Sequence, residues 1–156
     1  MAMITAGDLP RDPPTFAQYP AEIYRGVRRT PRIPAEGRSY RTAIRRGALH
    51  GVNFAGRFTL MPIGCGAGCL AWAIVDVATG HVTPPARLWT TQNDNVDPAL
   101  EERSGLLVRF RRDSRLVIVI GGINEDPARR GISYFEWTGQ HMRLLRFVPK
   151  PDGNPR

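Results

Sequence analysis

Apolar residues fall at helical spacing in only one stretch of the chain, and after it the period drops to two. Tyr40, Ala43, Ile44, Gly47 and Ala48 recur at i, i+3, i+4, i+7 and i+8, with Arg41, Arg45 and Arg46 on the remaining face. The spacing predicts a helix of about three turns, capped by Ser39 and stopped by Gly51. From Phe54 onward, alternation and β-branched runs predict strands: Phe54 to Ile63, Leu70 to Val77, a short return through Val82 to Trp89, Leu106 to Arg112, Arg115 to Gly122, Ile132 to Trp137 and His141 to Val148. The polar interval Thr90 to Gly105 reads as a surface loop with a short helical turn at Pro98 to Arg103, and residues 123–131 read as another loop.

About seven strands in successive hairpins after one helix give an α+β domain built mainly on an antiparallel sheet. No β-helix-β crossover is available to make the sheet parallel. Residues 1–37 form an arm rich in proline and arginine, where Pro10, Pro13, Pro14, Pro20, Pro31 and Pro34 rule out a long helix or a central strand. Phe16, Tyr19, Ile23 and Tyr24 would anchor part of it, leaving the first dozen residues loose. Residues 38–149 are then a single β-rich domain and 150–156 a flexible tail.

Composition narrows this reading. A chain of 156 residues fits one core, and 42% hydrophobic with 23% charged content is that of a globular protein. No apolar run approaches the roughly 18 residues of a spanning helix. The N-terminus lacks a signal-peptide layout, so the chain is either cytoplasmic or has had a leader removed. Formal charge is +8, and Lys150 is the sole lysine. A phosphate-binding surface would explain the arginines, but so would solvent-facing strand positions, over which they are spread.

Candidate chemistry gathers in Asn53 to Gly80. Cys65 and Cys69 have three residues between them, and a local disulfide that fixes their glycine-rich turn is the first reading. A sharper alternative is a thiol-dependent enzyme, with Gly64, Gly66 and Gly68 aiming amides at a Cys65 or Cys69 thiolate. A zinc site from Cys65, Cys69, His50 and His81 has the right atoms but an unusual spacing, so no metal or other cofactor is assigned, and no catalytic residue. Asp76 ends a buried strand and would accept turn hydrogen bonds, whereas Asp94, Asp97, Glu101, Glu102, Glu125 and Asp126 read as solvated loop acids. Trp89, Tyr134 and Trp137 are core aromatics unless they share an exposed face, in which case they form a binding surface.

Asn53-Phe54-Ala55-Gly56, then Gly64-Cys65-Gly66 and Cys69, then Asp76, Thr79 and Gly80, resemble a group of small uncharacterised bacterial proteins, usually exported or lipoprotein-like. The similarity extends to Asp113-Ser114-Arg115 and to Tyr134-Phe135-Glu136-Trp137. In that group a further cysteine often precedes the aromatic strand, where Arg129, Arg130 and Gly131 stand here. The resemblance implies a periplasmic or otherwise exported β-rich domain and no established activity. The expected function is a non-catalytic module that binds another protein, of inhibitor or immunity type. The thiol enzyme is second, and a basic nucleic-acid binder third.

Overall fold

The computed structural model describes residues 2–102 and 107–150. Its helix is α1, Arg41–Ala48, entered directly from a 3-10 run at Ala35–Tyr40. Ser39 falls inside that run, so Tyr40 takes the N-cap position without a side-chain bond. Gly51 ends the segment, donating its N–H to the Ala48 carbonyl.

The strands are β1 (Phe58–Gly64), β2 (Cys69–Asp76), β3 (Val82–Thr83), β4 (Thr90–Gln92), β5 (Val108–Phe110), β6 (Leu116–Ile123), β7 (Asp126–Trp137) and β8 (Met142–Pro149). They form one eight-stranded sheet in the order β1-β2-β4-β6-β7-β8, with β3 beside β2 and β5 beside β6. Every pairing between these strands is antiparallel. The expected α+β class therefore holds, with eight strands in place of seven.

Three expectations are corrected. The polar interval contains β4, which lies between β2 and β6 with Thr91 and Gln92 buried. Its polar side chains are satisfied inside the sheet, because Thr91 Oγ1 accepts from Trp72 Nε1 at 2.9 Å and Gln92 Oε1 accepts from the Glu125 N–H at 2.9 Å. The second loop is a two-residue hairpin: Asn124 and Glu125 both have positive φ, 54° and 55°, between paired Ile123 and Asp126. Pro127 is tolerated in β7 because the ladder is interrupted between Ile123↔Asp126 and Gly121↔Gly131. Finally, the start of the arm is docked. Ile4 is fully buried, bonds main chain to main chain with Asn95 and Asp97, and packs with Leu100, Leu116 and Ile132. The 103–106 part of the loop and the tail beyond 150 lie outside the described residues.

The sheet curls on itself. Phe58 of β1 and Trp137 of β7 are separated by β2, β4 and β6, which in a flat sheet would put them roughly 19 Å apart. Their ring centroids are 5.6 Å apart, edge to face. Inside the curl lie Phe54, Phe58, Trp72, Trp89, Phe135 and Trp137, with Leu60, Val117 and Val119. Outside, α1 covers β1 to β3 through Ile44, Met61 and Val75, and the arm covers β6 to β8 through Ile4, Leu9, Phe16 and Tyr19. The alternation of β6 explains this division, since Val117 and Val119 point inward while Leu116, Ile118 and Ile120 point under the arm.

At the base of β7, Glu136 accepts from Arg143 Nη2 at 2.6 Å and from Arg115 Nη2 at 3.0 Å. The Arg143 hydrogen bond, seconded by Arg115, holds the Glu136 carboxyl below the usual carboxylate range although partial burial pushes it up. A group depressed in the folded state contributes stability above its unfolded pKa and loses it as pH falls through the folded value. Denaturation should therefore become easier on acidification through and below about pH 4, the ordinary glutamate range. Glu136→Gln should flatten that part of the curve, read as urea midpoint against pH.

Candidate functional site

The local chemistry of Asn53 to Gly80 separates into two ends of the sheet. At the base, Asn53 acts as a backbone substitute: its Oδ1 accepts from Leu60 N at 2.8 Å and its Nδ2 donates to Leu60 O at 2.9 Å. Phe54 is thereby turned into the core, and Ala55 and Gly56 take left-handed φ values of 51° and 85°. Gly56 donates to the Arg112 carbonyl at 2.7 Å and accepts from the Tyr24 N–H at 2.7 Å. A Cβ at this position would overlap the Glu22 carbonyl oxygen, so only glycine lets the arm pass.

Asp76 and Gly80 belong to the same end. Asp76 is buried, pairs with Arg57 at 2.7 Å and accepts from the Ala78 N–H at 2.9 Å, as its place before a turn predicts. Its carbonyl takes the Gly80 N–H at 2.7 Å. Gly80 in turn accepts from Arg32 N at 2.8 Å, and a Cβ there would overlap the Thr30 carbonyl. Asn53, Gly56, Asp76 and Gly80 are thus brought together as the seat of the arm.

Cys65 and Cys69 lie at the other end, about 25 Å away along β2. They form a disulfide with Cα atoms 5.2 Å apart that closes the β1–β2 hairpin. The Cys65 N–H donates to the Cys69 carbonyl at 3.2 Å, and the Gly68 carbonyl accepts from Asn93, tying the hairpin to the segment after β4. Closing five residues contributes only about 2 kcal/mol by the chain-entropy relation, so the bond shapes the turn more than it stabilises the fold. Gly66 and Gly68 occupy positive-φ turn positions, whereas Gly64 stands in open space and nothing in the structure requires it. Both cysteines are taken up in this bond, which leaves the thiol-enzyme alternative without a free thiolate. His50 and His81 follow α1 and β2 at the base, so the four zinc candidates are not brought together. Among the described residues no cluster of three or more metal-ligating side chains occurs.

Beside the disulfide opens a cleft of about 260 Å³. It is lined by Cys69 and Ala67 of the hairpin, by Gln92 and Gly122, and by the acidic residues Asp94, Glu125 and Asp126. The interrupted ladder between β6 and β7 makes the opening, a usual place for a strand irregularity beside a site. Arg130, buried at its edge, donates to the carbonyls of Lys150, Asp94 and Asn95 at 2.9, 3.1 and 3.0 Å. This clasp fixes β7, the loop after β4 and the end of β8 relative to one another. Sequence reasoning missed Gln92 and Arg130, because a lone glutamine in a polar run and one arginine among many carry no pattern. Glu125 and Asp126 are exposed as expected, but on a hairpin that presents them to the cleft.

The proposed aromatic surface is corrected. Trp89, Tyr134 and Trp137 are 4%, 1% and 1% exposed, and they do not share a face. Trp89 and Trp137 lie inside the curl, while Tyr134 lies under the arm, where burial raises its phenol above the usual range. Comparison of the chain with family models, curated proteins and solved structures finds no match.

The glycines at the two ends should respond differently. Gly56→Ala should destabilise by about 1 to 3 kcal/mol, since it adds both left-handed strain and a main-chain overlap. Gly64→Ala should stay within about 0.5 kcal/mol of the parent, as for a surface site without special backbone. Urea denaturation of the two variants checks this.

Proposed function

We propose that this chain is a non-catalytic protein-binding module, of inhibitor or immunity type, working in a compartment where disulfides persist. The observation that carries the reading is the disulfide-fixed cleft with Asp94, Glu125 and Asp126 on its lining. A rigid hairpin, a two-residue turn and the Arg130 clasp set its shape before any partner arrives, which lowers the ordering cost of association. Three carboxylates on a chain of net charge +8 favour a partner that inserts a basic side chain there. The disulfide is compatible with export, as disulfides are rare in reducing compartments. Among the described residues no helix is long and apolar enough to cross a membrane.

A pull-down from envelope extract with the disulfide intact should recover a saturable protein partner. Asp94→Asn with Glu125→Gln and Asp126→Asn, which preserve shape, should lower its affinity at least about tenfold, the loss of one good charged contact. Recovery of no saturable protein, or a partner indifferent to the three substitutions, would remove the reading.

A further inference from the structure

At the end opposite the disulfide, the arm forms an arch. It is pinned on one side by the Tyr24 N–H to the Gly56 carbonyl and on the other by the Arg29 N–H to the Val77 carbonyl, at 2.7 and 2.9 Å. The intervening residues are held away from the sheet over a cleft of about 430 Å³, lined by Tyr24, Arg25, Arg28, His50, Val77 and Arg112 among others. None of the lining residues is acidic. Arg25 and Arg112 are exposed and form no ion pair or side-chain hydrogen bond among the described residues, while Arg28 reaches only the Leu49 carbonyl, at 3.3 Å.

Two exposed apolar residues adjoin the lining in sequence, Val27 between Gly26 and Arg28 and Leu49 before His50. Val27 is 70% exposed and Leu49 is 79% exposed, the two largest values among the exposed large hydrophobic residues. The Arg28 bond to the Leu49 carbonyl ties the arch to the end of α1, which brings Leu49 beside the residue that follows Val27. Arg29, Arg45 and Arg46, their sequence neighbours, are exposed as well.

We propose that this end of the protein docks on an anionic lipid surface. Guanidiniums at the level of phosphate headgroups, with short aliphatic tips beyond them, is the arrangement by which a peripheral protein combines charge attraction with shallow apolar insertion. A small soluble anion would account for the arginines and leave Val27 and Leu49 without a role. A nucleic acid would call for free stacking rings, yet the Tyr24 ring packs over Gly26 and its hydroxyl donates to the Val27 carbonyl at 2.8 Å. Docked this way, the molecule turns its disulfide end, about one strand length away, toward solvent.

Sedimentation with large vesicles tests the proposal on the whole chain. Vesicles of phosphatidylcholine containing phosphatidylglycerol should carry the protein down, and pure phosphatidylcholine vesicles should not. Val27→Ser with Leu49→Ser, and separately Arg25→Ser with Arg112→Ser, should each weaken binding about tenfold. Arg11→Ser with Arg129→Ser, an equal loss of charge away from the cleft, should change it less than about twofold. All six positions lie outside the core, and circular dichroism verifies that each variant keeps its fold. The proposal is overturned if the anionic vesicles do not bind. It is also overturned if the Val27/Leu49 variant binds like the parent, or if the Arg11/Arg129 pair weakens binding as much as the cleft pair does. Displacement from vesicles by inorganic phosphate at unchanged ionic strength would overturn it too, and would reassign the cleft to a small anion.

Discussion

The curled sheet depends on a set of main-chain hydrogen bonds at its base, where the turn at residues 53–56 meets both the β5–β6 turn and the N-terminal arm. Gly56 is the common point, donating to Arg112 and accepting from Tyr24. Ala55 donates to the Ser114 carbonyl, and Ala21 donates to the Asp113 carbonyl, so three separate segments close around the same few residues. Without these bonds, main-chain groups of the buried Ala55, Gly56 and Ser114 would be left unpaired and the contact between Phe58 and Trp137 would lose the closure that holds their strands together. The arm is therefore part of the fold. Its burial of Ile4 and its Lys150–Asp8 ion pair at 2.9 Å extend the same closure to the far end of β8.

A consequence of that closure is an axis with unlike ends. The base carries the arginine-lined cleft under the arch, and the opposite end carries the cleft with its three carboxylates. Asp94, Glu125 and Asp126 line that cleft on a chain of overall charge +8. The geometry thus separates an arginine-lined cleft from a carboxylate-lined one by roughly the length of a strand, about 25 Å, and links them through a core of interlocked aromatic rings. Trp72, at its centre, is edge-on to both Trp89 and Phe110, at 6.0 and 6.2 Å. Such rigid packing keeps one end fixed relative to the other.

The parts of the fold that the sequence announces are those whose cause is local. Continuous apolar runs such as Leu116 to Ile120 mark strands because alternate side chains face two apolar layers. The Cys65–Cys69 pairing was readable from two cysteines across a glycine turn. What stayed hidden has long-range causes. The strand at Thr90–Gln92 is polar because its side chains bond to Trp72 and Glu125, partners distant in sequence. The arm docks through its own N–H and carbonyl groups, which every residue possesses, so no side-chain pattern reports it. Gly56 and Gly80 were visible as turn residues, but the reason no other residue fits, the passage of Glu22 and Thr30, lies in a separate segment. Glu125 at a positive φ gave no hairpin signal, because the usual turn residues for that geometry are glycine, asparagine and aspartate.

Amide hydrogen exchange along the arm tests the central claim, that this segment is built into the base of the sheet, most directly. The account predicts that the Tyr24, Arg29 and Arg32 amides, which donate to Gly56, Val77 and Gly80, exchange as slowly as the amides of β6, because they open only with the base itself. Exchange of those three amides at the rate of a free peptide, with β6 still protected, would contradict it.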